Sequence, residues 1–406
     1  LGVDKSNQSL RLQRQLSLTQ LGVLEIALKI VRKLIPITEL YENSVKNGVE
    51  LHDTENALID QGNHILSCVL DFIYYCILDC PDNQMFVADF LPDLLAHLSS
   101  QQMAGKCVTA MLSTNMELQE TKIGSREISI FVDKLRSSKM NSMYLNLLQS
   151  CCSCQGQGVD ANQCRVADML FEDTNDIVIQ LMVDFTKLTP VDWGIGNSIY
   201  IPSDNVLGSP VDGQLLIDKG LPELALAWTT NAIDFSPLGL FGKLSVSVSD
   251  LYKLQIEDTK KNTQDLTAEK IAALKKAQAK AEVANRQKKA VADYFIEEMY
   301  LGAEMCMDRN YVAMHKLDPL FSYESLVSIM KMNVRNEIKA GACRLLFCLH
   351  VDRDPQVGTK IPCLTRTWTE TIKDLPPRLP YVEPSRQNSY ALIQQLVSEH
   401  VNLMRD

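Results

Sequence analysis

At 406 residues the chain exceeds the roughly 250–300 at which a single hydrophobic core stops growing, so two or more packed units are expected. Apolar residues make up 46% and charged residues 22%, ordinary globular usage that excludes wholesale disorder. Fifty acidic against 40 basic residues leave a net charge of -10, without the basic surplus that nucleic-acid binding needs.

The first elements follow from hydrophobic spacing. Leu1 to Gln15 carry charge and glutamine where a secretory leader would be apolar, and the absence of an initiator methionine suggests a piece of something longer. From Ser17 to Leu188 the dominant period is helical. Leu21, Leu24, Leu28, Val31 and Leu34 fall on one face, as do Ile65, Val69, Phe72, Ile73 and Cys76. The apolar stretch from Leu66 to Cys80 is interrupted by Asp71 and Asp79, so it is read as a core helix and not a membrane span. Further helical segments are expected over Gln84 to Ala96, Gln101 to Ser113, Ser125 to Arg136, Ser142 to Cys152 and Asp176 to Thr186, divided by short polar punctuation. Short helices that are apolar on one or two faces cannot bury themselves singly; stacking into a solenoid solves that problem. No strict internal sequence repeat is present, so this reading rests on helix length and spacing.

From Thr189 to Asp250, prolines at 190, 202, 210, 222 and 237 arrive with clustered glycines, which marks an irregular connector. Within it Leu221 to Asn231 is read as a short helix, and Leu244, Val246 and Val248 as a brief extended segment. An alanine-, lysine- and glutamine-rich helix is expected from about Asp265 to Met307. Amphipathic segments follow over Tyr323 to Lys331 and Asn336 to His350, the second placing Ile338, Ala342, Leu345, Leu346 and Leu349 on one face. A last helix is expected from about Ser385 to Met404.

Motifs that could carry chemistry fail on spacing. Gly239 to Leu244 has two residues between its glycines where a nucleotide loop needs four, and Leu244 stands where a Ser or Thr must follow the lysine. Gly194-Ile195-Gly196 lacks a third glycine. Cys151, Cys152, Cys154 and Cys164 offer one CxxC without a second pair or a nearby histidine, so buried reduced thiols are expected; Cys76, Cys343 and Cys348 are placed on buried helix faces too. His52, His64, His97, His315, His350 and His400 are scattered, and no serine sits in a nucleophile elbow. Asp308, Asp352 and Asp354 lack the glycine and twelfth-position glutamate of a calcium loop and are read as helix-end loops. The basic run Lys270, Lys275, Lys276, Lys280, Arg286, Lys288 and Lys289 is read as a solvated face, its apolar stripe being mostly alanine. No catalytic constellation and no bound cofactor are expected.

At Met305-Cys306-Met307-Asp308-Arg309-Asn310-Tyr311-Val312-Ala313, and again from Lys339 through Arg344-Leu345-Leu346 to His350-Val351-Asp352-Arg353-Asp354-Pro355-Gln356, the sequence resembles inositol 1,4,5-trisphosphate receptors. Asn83-Gln84-Met85-Phe86-Val87-Ala88 and Phe131-Val132-Asp133-Lys134-Leu135-Arg136 resemble the homology region that this family shares with ryanodine receptors. The resemblance implies an all-α, armadillo-like α-solenoid in the cytosolic part of a homotetrameric calcium-release channel of the endoplasmic reticulum membrane. Such a piece would be soluble, meet other domains and subunits, and touch the membrane only through the rest of the protein. Inositol trisphosphate and calcium are then possible ligands of the parent protein.

In the family, half of the inositol phosphate site is a basic helix face near the start of this region, where Arg11 and Arg14 are the available cations. A tyrosine-arginine-lysine cluster precedes an Asn-Gln pair. Asn83-Gln84 match that pair, but Cys80, Pro81 and Asp82 replace the cluster and supply no cation. A trisphosphate needs converging Arg and Lys donors to replace its hydration, so the chain by itself is expected not to bind it. The expected organisation is a first helical domain over 1–188, a connector over 189–262 and a second helical segment over 263–406. The expected role is a coupling module of the channel; a free-standing armadillo-type adaptor that binds proteins in a concave groove is the alternative.

Overall fold

The computed structural model describes residues 5–47, 52–137, 141–171, 178–184, 289–332, 334–353 and 389–403, with short strands between 199 and 248. The first part is a run of helices: α1 (Lys5–Gln20), α2 (Val23–Lys33), α3 (Ile35–Asn47), α4 (Asp53–Ile77), α5 (Pro81–Ala88), α6 (Leu91–Ala96), α7 (Gln102–Leu112), α8 (Met116–Lys122), α9 (Ser125–Ser137), α10 (Ser142–Cys152) and α11 (Asp160–Phe171). A two-residue hairpin, β1 (Ser153–Cys154) and β2 (Gln157–Gly158), joins α10 to α11. After the strands come α12 (residues 289–306), α13 (Tyr311–Leu317), α14 (Tyr323–Lys331), α15 (Asn336–Leu346) with a π-helical turn over Phe347–Val351, and α16 (Ser389–Leu403). Among the described residues the molecule is a stack of helices with a small β insertion, an all-α solenoid.

Helix starts are set by capping. Asn115, Asn141, Asn310 and Ser322 each accept a backbone N–H in the first turn of the helix they precede, which satisfies donors that have no partner inside the helix. Asp53 begins α4, where the Glu55 carboxylate receives the His52 backbone N–H at 3.0 Å. Pro81 and Pro92 sit in the first turns of α5 and α6, where a missing N–H costs nothing. That second proline divides the single segment expected over Gln84 to Ala96 into two helices.

The buried stripe of α4 is Ile59, Gly62, Leu66, Leu70, Ile73, Cys76 and Ile77. It lies beside the expected one: Ile65 is exposed while Ile73 and Cys76 are buried. At α2 the stripe of Leu24, Leu28 and Val31 is buried as expected, but Leu21 is 76% exposed because Gly22, at φ 74°, ends α1 and turns the chain between the two helices. The face Ile338, Ala342, Leu345, Leu346 and Leu349 is buried throughout. One apolar core runs from Leu24 in α2 to Leu396 in α16, so helices before and after the strands share it.

Two helical expectations fail in the insertion. Gln180–Asp184, inside the stretch expected as helix over Asp176 to Thr186, is strand β3, and Leu224–Ala227, inside Leu221 to Asn231, is strand β7. β3 pairs with β7 antiparallel and with β5 (Val206–Leu207) in parallel, while β7 also pairs with β8 (Ser245–Ser247). The physical reason is tertiary: Ile179, Leu181 and Leu226 are buried in the apolar core, and a short apolar run serves a buried strand as well as a buried helix. β8 meets the extended segment read over Leu244 to Val248, and β4 (Ile199–Ile201) with β6 (Leu215–Ile217) forms a separate antiparallel pair. The connector therefore holds strands where an irregular path was expected. The basic run up to Lys288, both glycine motifs and Asp354 lie outside the described residues.

Candidate functional site

Four buried glutamines mark the ends of successive helices. Gln15 on α1 donates its Nε2 to the carbonyls of Tyr75 and Leu78 at the end of α4, at 2.7 and 3.0 Å. Gln84 on α5 donates to the Ile77 carbonyl at 3.0 Å and to Thr114 Oγ1, just beyond α7, at 2.9 Å. Gln119 on α8 reaches three carbonyls, Leu112 of α7 at 2.7 Å, Ser150 of α10 at 2.8 Å and Ser153 at 3.0 Å. Gln163 on α11 reaches Glu304 of α12 at 2.8 Å and Met307 beyond it at 3.0 Å. A helix leaves its last carbonyls without intrahelical partners, and these amides supply the missing donors while fastening one helix to the next. The carbonyl sets also fix which way each amide points: reversed, its oxygen would face other oxygens.

The last of these links is the most elaborate. Asn310 caps α13 through the Ala313 N–H at 3.0 Å and donates its Nδ2 to Asp160 Oδ1 at 2.8 Å and to Gln163 Oε1 at 3.3 Å. Before it, Asp308 and Arg309 hold φ values of 58° and 68°, a left-handed conformation that non-glycine residues adopt at a cost. Their side chains are engaged: Asp308 accepts the Gly158 N–H at 2.6 Å, and Arg309 pairs with Asp352 at 3.0 Å. Gly158 is required by close approach, since a Cβ there would lie 2.6 Å from Gln163 Nε2 and 3.0 Å from the Met307 carbonyl. Asp308 and Asp352 are thus helix-end groups, as read from the sequence.

Residues 3–182 match the family model of the RIH domain. The chain carries a RIH domain. This is the homology domain of ryanodine and inositol trisphosphate receptors, and it spans the helices from α1 through α11. The resemblance seen at Asn83 to Ala88 and at Phe131 to Arg136 falls inside it, and the one at Met305 to Ala313 falls on the joint that Gln163 and Asn310 build against it.

Within the RIH domain, Arg11 and Arg14 lie exposed on α1 beside the corner between α4 and α5. Arg11 Nη2 is 2.6 Å from Asp79 Oδ2, so this cation is already paired with an acid of that corner, and Asp82 adds a second carboxylate in the first turn of α5. The fold brings together the two places that the family resemblance pointed to, Arg11 on one side and Cys80-Pro81-Asp82 on the other, with one arginine of the two paired to an acid.

The thiols behave as core. Cys76, Cys107, Cys151, Cys152, Cys306 and Cys348 are free and buried, and burial pushes Cys107 and Cys151 up to about 12. Cys343, expected on a buried face, is exposed, because the buried stripe of α15 runs through Ala342 and Leu345 on either side of it. Among the described residues no group of three or more His, Cys, Asp and Glu side chains is placed to hold a metal ion. His97 is buried and neutral: its Nε2–H donates to the Val31 carbonyl at 2.9 Å, its Nδ1 accepts from Thr38 at 2.7 Å, and burial holds its pKa below the ordinary value.

Two features were not singled out in the sequence. Glu298 on α12 is buried, accepts the Ile179 N–H at 2.9 Å through Oε1, and lines a cavity of about 20 Å³ walled by Leu145, Leu170, Leu301 and Phe321. Burial raises this carboxyl well above its ordinary range, against the smaller opposing pull of the Ile179 N–H. A trough of about 550 Å³ runs between α7 and α10. Periodicity cannot separate Glu298 from the half-exposed Glu297 beside it, but the recurring Asn-Gln pairs at 83–84 and 162–163, each near a helix start, were a visible signal for the glutamine series.

Proposed function

We propose that this chain is a non-catalytic regulatory and coupling module of an intracellular ligand-gated calcium-release channel, conveying ligand occupancy to the pore. The observation that carries the reading is the series of buried glutamines at Gln15, Gln84, Gln119 and Gln163, which fastens helix end to helix end from α1 to α12 within one core. A solenoid of nearest-neighbour contacts transmits rotation when its interfaces are stiff. Buried side-chain amides that reach several carbonyls make those interfaces directional as well as apolar.

The RIH domain supports the reading, since it belongs to oligomeric channel receptors and not to an enzyme family. In this role the chain sits at the cytosolic face of the endoplasmic reticulum membrane and meets other domains and subunits of a homotetramer. Among the described residues no helix is long and apolar enough to cross a membrane, in keeping with a pore supplied by other segments. Inositol trisphosphate and calcium are ligands of the assembled channel in this account, and the chain requires no cofactor of its own.

The test is calcium efflux from endoplasmic reticulum vesicles carrying the protein encoded by the complete open reading frame. Efflux evoked by inositol trisphosphate or by cytosolic calcium is expected. Vesicles that hold the protein yet release no calcium under either stimulus would contradict the proposal.

A further inference from the structure

Among the described residues Glu298 is the only buried carboxyl, at 6% exposure, and its two oxygens are treated differently. Oε1 accepts the Ile179 N–H at 2.9 Å, while Oε2 meets no donor or acceptor of the described protein. Ile179 directly precedes β3, and Val178 walls the cavity that Glu298 lines, so this bond lies where the β insertion is seated on α12.

The surroundings of Glu298 offer a charge no relief. Leu135 of α9, Leu145 of α10, Leu170 of α11 and Leu317 of α13 close the cavity together with Phe321, and no wall residue besides Glu298 is titratable. The charges carried by these elements are engaged with other groups: Arg136 of α9 donates to the Met169 carbonyl at 3.0 Å, Asp168 of α11 pairs with Lys316 of α13, and Asp318 beyond α13 pairs with Arg353 at 3.4 Å. On α12 itself Glu297 is held by Gln149 and Glu304 by Arg344. α10 carries no charged residue. At about 20 Å³ the cavity has room for one water molecule, too little to hydrate a carboxylate.

A neutral carboxyl suits this setting, because its proton resides on Oε2 while Oε1 remains an acceptor for Ile179. An ionised one does not: a buried charge requires a cation or several donors, and here it would have a single backbone N–H. Water reaches the charge only when Val178 and Ile179 move off α12. We propose that Glu298 is a proton-operated latch: while its carboxyl is protonated the strand-bearing insertion stays seated on α12, and loss of that proton to solvent unseats Val178 and Ile179. The latch does not depend on the coupling role, since it concerns only how the insertion is attached.

The sign follows from linkage. The open form titrates in the ordinary carboxylate range, whereas burial keeps the closed form protonated to higher pH. Between the two, the ratio of open to closed rises with pH by up to about tenfold per unit, and below the ordinary range it is constant.

The test is hydrogen–deuterium exchange of the full chain, read by mass spectrometry in the peptide spanning residues 178–181 from about pH 5 to about pH 8, each rate divided by the intrinsic rate at that pH. Protection there is expected to fall at least tenfold across the range and to stay at least tenfold below that of α10 and α15 throughout. Glu298→Gln is expected to hold protection constant and to exceed the parent at the upper pH, a gain that a misfolded variant cannot give. Protection in the parent that is flat with pH, or equal to that of α10 and α15, would overturn the latch. So would a Glu298→Gln variant that loses protection as the parent does.

Discussion

Glu298 carries a carboxyl into the seam where α12 meets the β insertion, and its environment gives it a definite pH signature. Folded, it keeps its proton to a pH well above the ordinary carboxylate range; unfolded, it titrates within that range. Between the two, unfolding releases a proton, so stability declines as pH rises across that window, by at most about 1.4 kcal/mol per pH unit for one group. Below the ordinary range both states are protonated and the slope vanishes. Glu298→Gln keeps an oxygen for the Ile179 N–H and removes the charge. Denaturant midpoints measured from about pH 5 to about pH 8 should therefore fall less steeply for the variant, and parallel slopes would refute the assignment.

Arg11 belongs to the same scale. Its pairing with Asp79 at 2.6 Å puts a carboxylate on one of the two cations that the family resemblance offers for a phosphate, and Asp82 adds a second acid in the first turn of α5. Calorimetric titration of the chain with inositol trisphosphate is expected to show no measurable binding. Micromolar or tighter affinity would overturn the electrostatic reading, because a trisphosphate bound that tightly needs several unpaired cations.

At the scale of elements the glutamines should dominate stability out of proportion to their number. Gln119 donates to three carbonyls from two helices, and truncation leaves those acceptors buried and short of a donor, a loss of roughly 2–3 kcal/mol. Gln119→Ala should lower the denaturation midpoint accordingly, while Gln102→Ala on the exposed face of α7 should stay within about 0.5 kcal/mol of the parent. Gly158→Ala is expected to cost about 1–3 kcal/mol, since its methyl group would press on the Met307 carbonyl and on Gln163.

Elements are also where the sequence was easiest and hardest to read. Amphipathic period found α7, α9, α10, α14 and α15, because one buried stripe against one solvated face is what that period measures. It misread β3 and β7, since a short apolar run has the same composition in a buried helix and in a buried strand, and partners distant in sequence decide between them. The Asn-Gln pairs were visible, but the distant partners of the glutamines were not derivable: Gln163 is fixed by carbonyls more than 140 residues away, a distance that no local pattern encodes.

On the scale of the whole molecule, the account depends on the joint between the RIH domain and α12. There Gln163, Asn310, Asp308 and Gly158 tie α11 and the β1–β2 hairpin to the end of α12, and Gln149 adds a bond to the Glu297 carbonyl at 2.9 Å. If occupancy travels along the stack, it must cross this joint, and weakening it should uncouple the two sides while leaving each helix pair packed. The decisive measurement is ligand-evoked calcium efflux from endoplasmic reticulum vesicles bearing the full-length protein with Gln163→Ala, with its amount in the vesicles and its assembly matched to the parent. The account predicts efflux reduced at least tenfold at unchanged ligand affinity; efflux indistinguishable from the parent would contradict it.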